Sequence, residues 1–177
     1  MLKGKSVNLR LMREKDLERY YELSQDVQAR GDFFPLKLTT EGAMKKRLAE
    51  GRNWSDDMKQ LLIVDAKDDS ILGMIVCFKP VFYQDSQEFG YILNDAQARG
   101  KGRMTEAVKL FVDYVFRSEN IFRVQLQIET ANVASRRVAE KAGFKHEGSL
   151  RHALIVRGRP TDIEMYGLTR DDWEQIA

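Results

Sequence analysis

Cysteine is nearly absent. Cys77 is the only one in 177 residues, so no internal disulfide can form, which fits a reducing compartment. Histidine is almost as scarce. His146 and His152 have no cysteine or carboxylate at ligand spacing, so no metal is expected and each reads as a sheet-surface residue. Proline occurs three times, and no Pro/Gly-rich linker, repeat or low-complexity tract marks a domain boundary. Charge of one sign is also lacking: 29 basic residues face 27 acidic ones, a net charge of +2, which gives no bias toward nucleic acid or membrane surfaces. No apolar run is long enough to span a bilayer, and Met1-Leu2-Lys3-Gly4-Lys5-Ser6 has no apolar signal region. The expectation is one cytoplasmic domain over residues 1–177, long enough for a substantial core.

What is present is a regular alternation of strands and helices. Val7, Leu9 and Leu11 alternate with polar residues as a first strand. Met12 to Ser24 reads as a helix with Leu17, Tyr20, Tyr21 and Ser24 inward. Residues 25–38 read as irregular, and Thr39 or Thr40 caps a short helix to Glu50. Gln60–Asp65 and Ile71–Phe78 form a hairpin, and Glu88–Leu93 a further strand. Met104, Ala107, Val108, Phe111 and Val115 recur at helical spacing up to Arg117. Phe122 to Thr130 alternates Val124, Leu126 and Ile128 with polar residues. A last hairpin joins Ser149–Val156 to Thr161–Leu168 across Arg157-Gly158-Arg159-Pro160. Strands before, between and after helices imply an α+β fold with a mixed sheet.

The stretch Gln97-Ala98-Arg99-Gly100-Lys101-Gly102-Arg103-Met104-Thr105-Glu106-Ala107 lies between a strand and a helix. Glycines on a turn that opens a helix let phosphates approach unpaired N–H groups at the positive end of the dipole. Arg99, Lys101 and Arg103 add positive charge there, so a pyrophosphate is expected. The pattern is not a nucleoside-triphosphate loop, because Arg103-Met104 follows Gly102. Nor is it a dinucleotide fingerprint, because Thr105 stands at its third glycine. As a nucleic-acid patch it is short and lacks interleaved aromatics.

A second stretch, Asn132-Val133-Ala134-Ser135-Arg136-Arg137-Val138-Ala139-Glu140-Lys141-Ala142-Gly143-Phe144, has a good N-cap in Asn132 and a good C′ residue in Gly143. The order basic glycine turn, strand, asparagine-capped helix and Gly-Phe resembles the GNAT acetyltransferases. Glu147-Gly148-Ser149-Leu150-Arg151 and the Asp162…Tyr166-x-Leu168 ending resemble the branch that acetylates ribosomal-protein N-termini, with similarity to spermidine acetyltransferases. The resemblance starts at Val7-Asn8-Leu9-Arg10 and covers nearly the whole chain.

The resemblance implies a sheet of six or seven strands, flanked by helices, whose parallel central strands splay at their C-terminal ends. It implies acetyl-CoA as acyl donor. Ile92, Leu93, Asn94, Arg99, Gly100, Lys101, Gly102, Arg103, Met104, Thr105, Asn132, Ser135 and Arg137 would hold it, with a backbone N–H near Leu93 stabilising the carbonyl oxygen. Arg136-Arg137 would meet the CoA 3′-phosphate or form a solvated helix face. The same likeness implies direct attack by an amine in a ternary complex, with Glu88 as base. Many members carry a tyrosine acid where this chain has Ala139, so the proton for the thiolate falls to Ser135. Relatives that keep a glutamate near Leu154 differ from this chain there. Phe33, Phe34, Phe82 and Tyr83 lie in two loops that would flank the acceptor. Two acceptor readings follow, a protein N-terminal α-amine first and then a small amine such as a polyamine, amino sugar or antibiotic; the further alternative is a non-catalytic acyl-CoA-binding module. A homodimer stays open.

Overall fold

The computed structural model describes residues 1–33, 37–81 and 85–176. Phe34, Phe82 and Tyr83 lie outside the described residues, and Phe33 is exposed. The strands are β1 (Leu2–Lys3), β2 (Val7–Arg10), β3 (Met58–Asp65), β4 (Ile71–Phe78), β5 (Ser86–Leu93), β6 (Arg123–Glu129), β7 (Lys145–Val156) and β8 (Arg159–Thr169). The helices are α1 (Leu17–Gln25), α2 (Glu41–Ala49), α3 (Arg103–Ser118), α4 (Val133–Lys141) and α5 (Arg170–Glu174). The strand order is β1-β2-β3-β4-β5-β6-β8-β7 in an eight-stranded mixed sheet. The extra strand, β1, has two residues, too few for alternation to reveal it.

Contacts group the chain into two compact units: Met1–Phe78 with Gly90–Phe111, and Lys79–Phe89 with Val112–Ala177. In the first, β2, β3 and β4 pair antiparallel and bury Val7, Leu9, Leu61, Leu62, Ile63 and Val64. Alternation fails along Leu61–Val64 because both sheet faces are covered there. The α1 helix starts at Leu17 rather than Met12. The Asp16 carboxylate accepts from the Arg13 amide at 2.8 Å and from both Arg10 terminal nitrogens at 2.6 and 2.9 Å, holding the preceding turn in a tighter 3-10 form. Leu17, Tyr20 and Ser24 are buried as their spacing requires, while Tyr21 is half-buried. Thr40 caps α2, its hydroxyl accepting from the Ala43 amide.

A β-bulge places Leu72 out of register between β3 and β4. Its carbonyl then accepts from the Asn94 and Asp95 amides at 2.9 and 3.2 Å, which anchors the end of β5. Gly73 sits beside that anchor. A Cβ there would lie 2.0 Å from the Ile92 carbonyl oxygen.

In the second unit, the parallel pairing of β5 with β6 covers Ser86↔Arg123, Gln87↔Val124 and Glu88↔Gln125, although β6 continues to Glu129. A parallel pair needs a crossover connection, and α3 supplies it. β6 then pairs antiparallel with β8, and β8 with β7. The hairpin turn is tighter than the sequence suggests. Arg157 and Gly158 alone take left-handed φ values of 50° and 77°, and Arg159 and Pro160 already belong to β8. Val124, Leu126 and Ile128 are buried with Phe116, Ala139, Phe144 and Leu168. Trp173 of α5 stacks on Phe116 at 5.4 Å, and the Arg170 guanidinium lies 5.3 Å from the Phe116 ring centre.

Candidate functional site

The glycine turn is built in the first unit. Asp95 Oδ1 accepts from the Gln97 amide at 2.8 Å and opens a 3-10 turn over Ala96–Ala98, whose last residue is buried. Arg99 bends back: its Nε and Nη2 donate to the Leu93 carbonyl at 3.1 and 2.7 Å, and Nη2 also reaches the Ala29 carbonyl. It ties the turn to the end of β5. Gly100 and Gly102 both take left-handed φ values, 74° and 76°, and no heavy atom lies within 4 Å of a Cβ built on either. L-residues resist that backbone, which explains glycine here. The Glu106 N–H donates to the Gly102 carbonyl at 3.0 Å, and the amides before it head α3 without intrahelical partners.

Two side chains of α3 fix the helix start. Arg103 pairs with Asp65 at 2.6 Å, both side chains largely buried. Glu106 accepts from the Ser6 amide at 3.1 Å, and also from the Lys5 amide and the Ser6 hydroxyl. Burial pushes the Glu106 carboxyl up, but the Ser6 hydroxyl and the amides of Lys5, Ser6 and Val7 outweigh it and hold the group below its ordinary value. Lys101 is exposed, Met104 is buried and Thr105 is half-buried. Ile92, Leu93 and Asn94 are all buried at the end of β5. Two left-handed glycines, open at Cβ, before the amides of a 16-residue helix fit a pyrophosphate on donor chemistry alone.

The second unit carries Glu88. Its Oε2 accepts from Gln125 Nε2 at 3.0 Å and from Gln127 Nε2 at 2.9 Å. The alternation of β6 placed both glutamines on one polar face, but only the parallel register shows that this is the Glu88 face. Asn132 Oδ1 accepts from the Ser135 amide at 3.1 Å, so Asn132 caps α4 and Ser135 stands in its first turn. Arg137 is exposed. Arg136 is half-buried, and its Nε has no hydrogen-bond partner. Ala139 is fully buried in α4.

One cluster escaped the sequence reading. Glu164 accepts from Thr130 Oγ1 at 2.9 Å through one oxygen, and binds Ser149 Oγ and His146 Nε2 at 2.6 Å each through the other. These hydrogen bonds, Ser149 first, then His146 and Thr130, hold its carboxyl down at about 2. Thr130 leads into the turn before Asn132, so the cluster braces that turn. His146 is thus a hydrogen-bonding partner as well as a sheet residue. His152 is exposed, with φ 52° and its amide on Asp162 Oδ1. No group of three possible metal-ligating residues occurs among the described residues, and no helix there is long and apolar enough to cross a membrane.

Residues 6–145 match the model of the acetyltransferase (GNAT) domain. The chain belongs to the GNAT acetyltransferases. It is 33% identical over 186 residues to the probable N-acetyltransferase YjcK of Bacillus subtilis, covering 99% of this chain and 100% of that protein. It is 30% identical over 172 residues to the putative ribosomal N-acetyltransferase YdaF of the same organism, covering 95% and 93% of the two chains. The fold superposes on a spermidine N-acetyltransferase from Vibrio cholerae, solved with CoA and spermine, with a TM-score of 0.81 at 18% identity over 96% of this chain and 98% of that one. This GNAT protein is an acetyl-CoA-dependent N-acetyltransferase.

Proposed function

We propose that residues 1–177 form one catalytic domain that acetylates a protein N-terminal α-amine by direct attack in a ternary complex. The observation that carries the donor half is the turn at Gly100 and Gly102, left-handed at both glycines and set before the α3 amides. Those amides, with Lys101, would hold the pyrophosphate of acetyl-CoA, while Arg99 and Arg103 fix the turn through Leu93 and Asp65. Bound there, acetyl-CoA supplies an activated thioester.

The chain's own groups meet the remaining needs. A free α-amine has a pKa near ~8 and must lose a proton. Glu88 is the proposed base; two glutamine amides orient its carboxylate, and Oε1 has no protein partner among the described residues. The backbone N–H near Leu93 is proposed to stabilise the carbonyl oxygen. Ser135, in the first turn of α4 behind the Asn132 cap, is proposed to protonate the departing thiolate. The amine nitrogen bonds the acetyl carbon, the carbon–sulfur bond breaks, and the proton released from nitrogen balances the one given to sulfur.

Likeness to a protein named for ribosomal N-acetylation supports the α-amine, and likeness to a spermidine acetyltransferase supports a small amine as the second reading. The test of the donor half is Gly102→Val. A β-branched residue resists a φ of 76° and puts bulk where the phosphates approach. Calorimetry should show CoA affinity reduced at least tenfold in a folded protein. Unchanged CoA binding in folded Gly102→Val would refute the assignment.

A further inference from the structure

Within the first unit lies a cavity of about 210 Å³. Its apolar wall is formed by Met12, Met44 and Met74 around the Tyr20 ring, a soft lining that adapts to shape. Two of its lining residues, Asn53 and Asn94, carry a buried amide oxygen, Oδ1, that has no hydrogen-bond partner. Asn94 is only 6% exposed, and its Nδ2 is already given to the Leu23 carbonyl at 3.4 Å. A buried acceptor left unpaired is costly, and an entering N–H donor relieves that cost. Asn94 directly follows β5, and Ile92 also lines the cavity, so the Asn94 side chain stands at the strand end where the thioester is proposed to lie.

Charge around this cavity has one sign. Arg30, Lys37 and Arg47 line it, with no carboxylate among the described lining residues. Arg30 is buried, its guanidinium on the Ser24 and Lys37 carbonyls, and keeps its charge. Arg47 and Lys37 are exposed, hence at the open side. Arg47 donates to Met58 Sδ at 2.7 Å, and neither residue forms an ion pair among the described residues. A polyamine would enter against like charges. An amine that also bears an acid group meets acceptors for its N–H groups and cations for its oxygens.

On the acetyl-transfer reading above, we propose that this cavity receives an amine carrying a carboxylate a few bonds from its nitrogen. The Asn53 and Asn94 oxygens take the amine, and Arg47 with Lys37 takes the carboxylate. The same chemistry comes from a free α-amino acid or from a peptide N-terminus whose second residue is acidic.

The test is a CoA-release assay on the full chain with acetyl-CoA and five amines: alanine, alaninamide, Ala-Glu-amide, Ala-Gln-amide and spermidine. One acid-bearing amine should exceed its neutral partner by at least about tenfold in kcat/KM, because a charge-assisted contact is lost in the partner. Whether alanine or Ala-Glu-amide shows the gap separates the two sources. Arg47→Gln should erase most of the gap through KM, and Arg47→Glu should raise spermidine relative to both. Arg47 is exposed on a helix that buries no residue, so these variants should fold, as circular dichroism would check. Equal rates within each pair, a preference for spermidine, or a gap unchanged in Arg47→Gln would each overturn the inference. If CoA binds calorimetrically and no acid-bearing amine turns over, this inference fails and the donor reading stands. If CoA does not bind, both fail.

Discussion

Replacing Glu88 by glutamine isolates one property, the charge of the proposed base. The carboxylate Oε2 accepts from Gln125 and Gln127 at 3.0 and 2.9 Å, and a glutamine carbonyl can occupy the same place and accept both bonds. What changes is Oε1, which becomes an NH₂ group that cannot take a proton. The two surviving bonds lose charge assistance on a half-buried residue, a cost of about 1 kcal/mol. At this chain length that is a Tm decrease of about 2–4 °C. The catalytic cost should be much larger, because general-base action contributes about 100- to 10,000-fold. Steady-state kinetics across pH should therefore show kcat down by that factor, the acidic limb lost, and CoA affinity nearly unchanged. Gln127→Leu serves as the companion: it removes one of the two amides that orient the carboxylate, so kcat should fall while CoA affinity stays nearly unchanged. If Glu88→Gln keeps turnover within threefold of wild type with the same acidic limb, Glu88 is a structural partner of two glutamines and solvent takes the proton.

Gly73→Ala should be severely destabilising, because its Cβ would fall 2.0 Å from the Ile92 carbonyl oxygen and both sides of that contact are backbone. Urea denaturation should show a loss of about 3 kcal/mol or more, and an unchanged midpoint would contradict the close approach of β4 to β5. Glu164 gives a pH dependence of stability. Its folded carboxyl sits at about 2 against an ordinary 4.5, so its contribution is complete above about pH 4.5 and is lost as pH falls toward 2. Wild type should exceed Glu164→Gln in stability at pH 6, and the difference should shrink steadily by pH 3; a constant difference would mean that charge plays no part.

Features whose physics is local were legible before any tertiary contact was known. The buried face of α3, the Asn132 cap on α4 and the glycine turn before α3 all follow from spacing or backbone preference within a few residues. The glycine turn and the capped helix, taken in order, were enough to bring the family into view. Element edges were less legible. The start of α1 depends on Arg10 reaching Asp16, and the extent of β7 and β8 depends on a two-residue turn. Tertiary structure decided the partners of the charged groups. The amides holding Glu88 lie 37 and 39 residues away, and only the parallel register joins them. Arg99 and Arg103 carry the charge expected beside a pyrophosphate, and each also donates within the protein, Arg99 Nε and Nη2 to Leu93 and Ala29 and Arg103 Nη2 to Asp65. The Glu164 cluster draws on three separate segments, and the cavity lining extends from Met12 to Asn94. Periodicity and capping act within a turn or a strand, whereas register and burial bring distant side chains together, and the fold alone sets those distances.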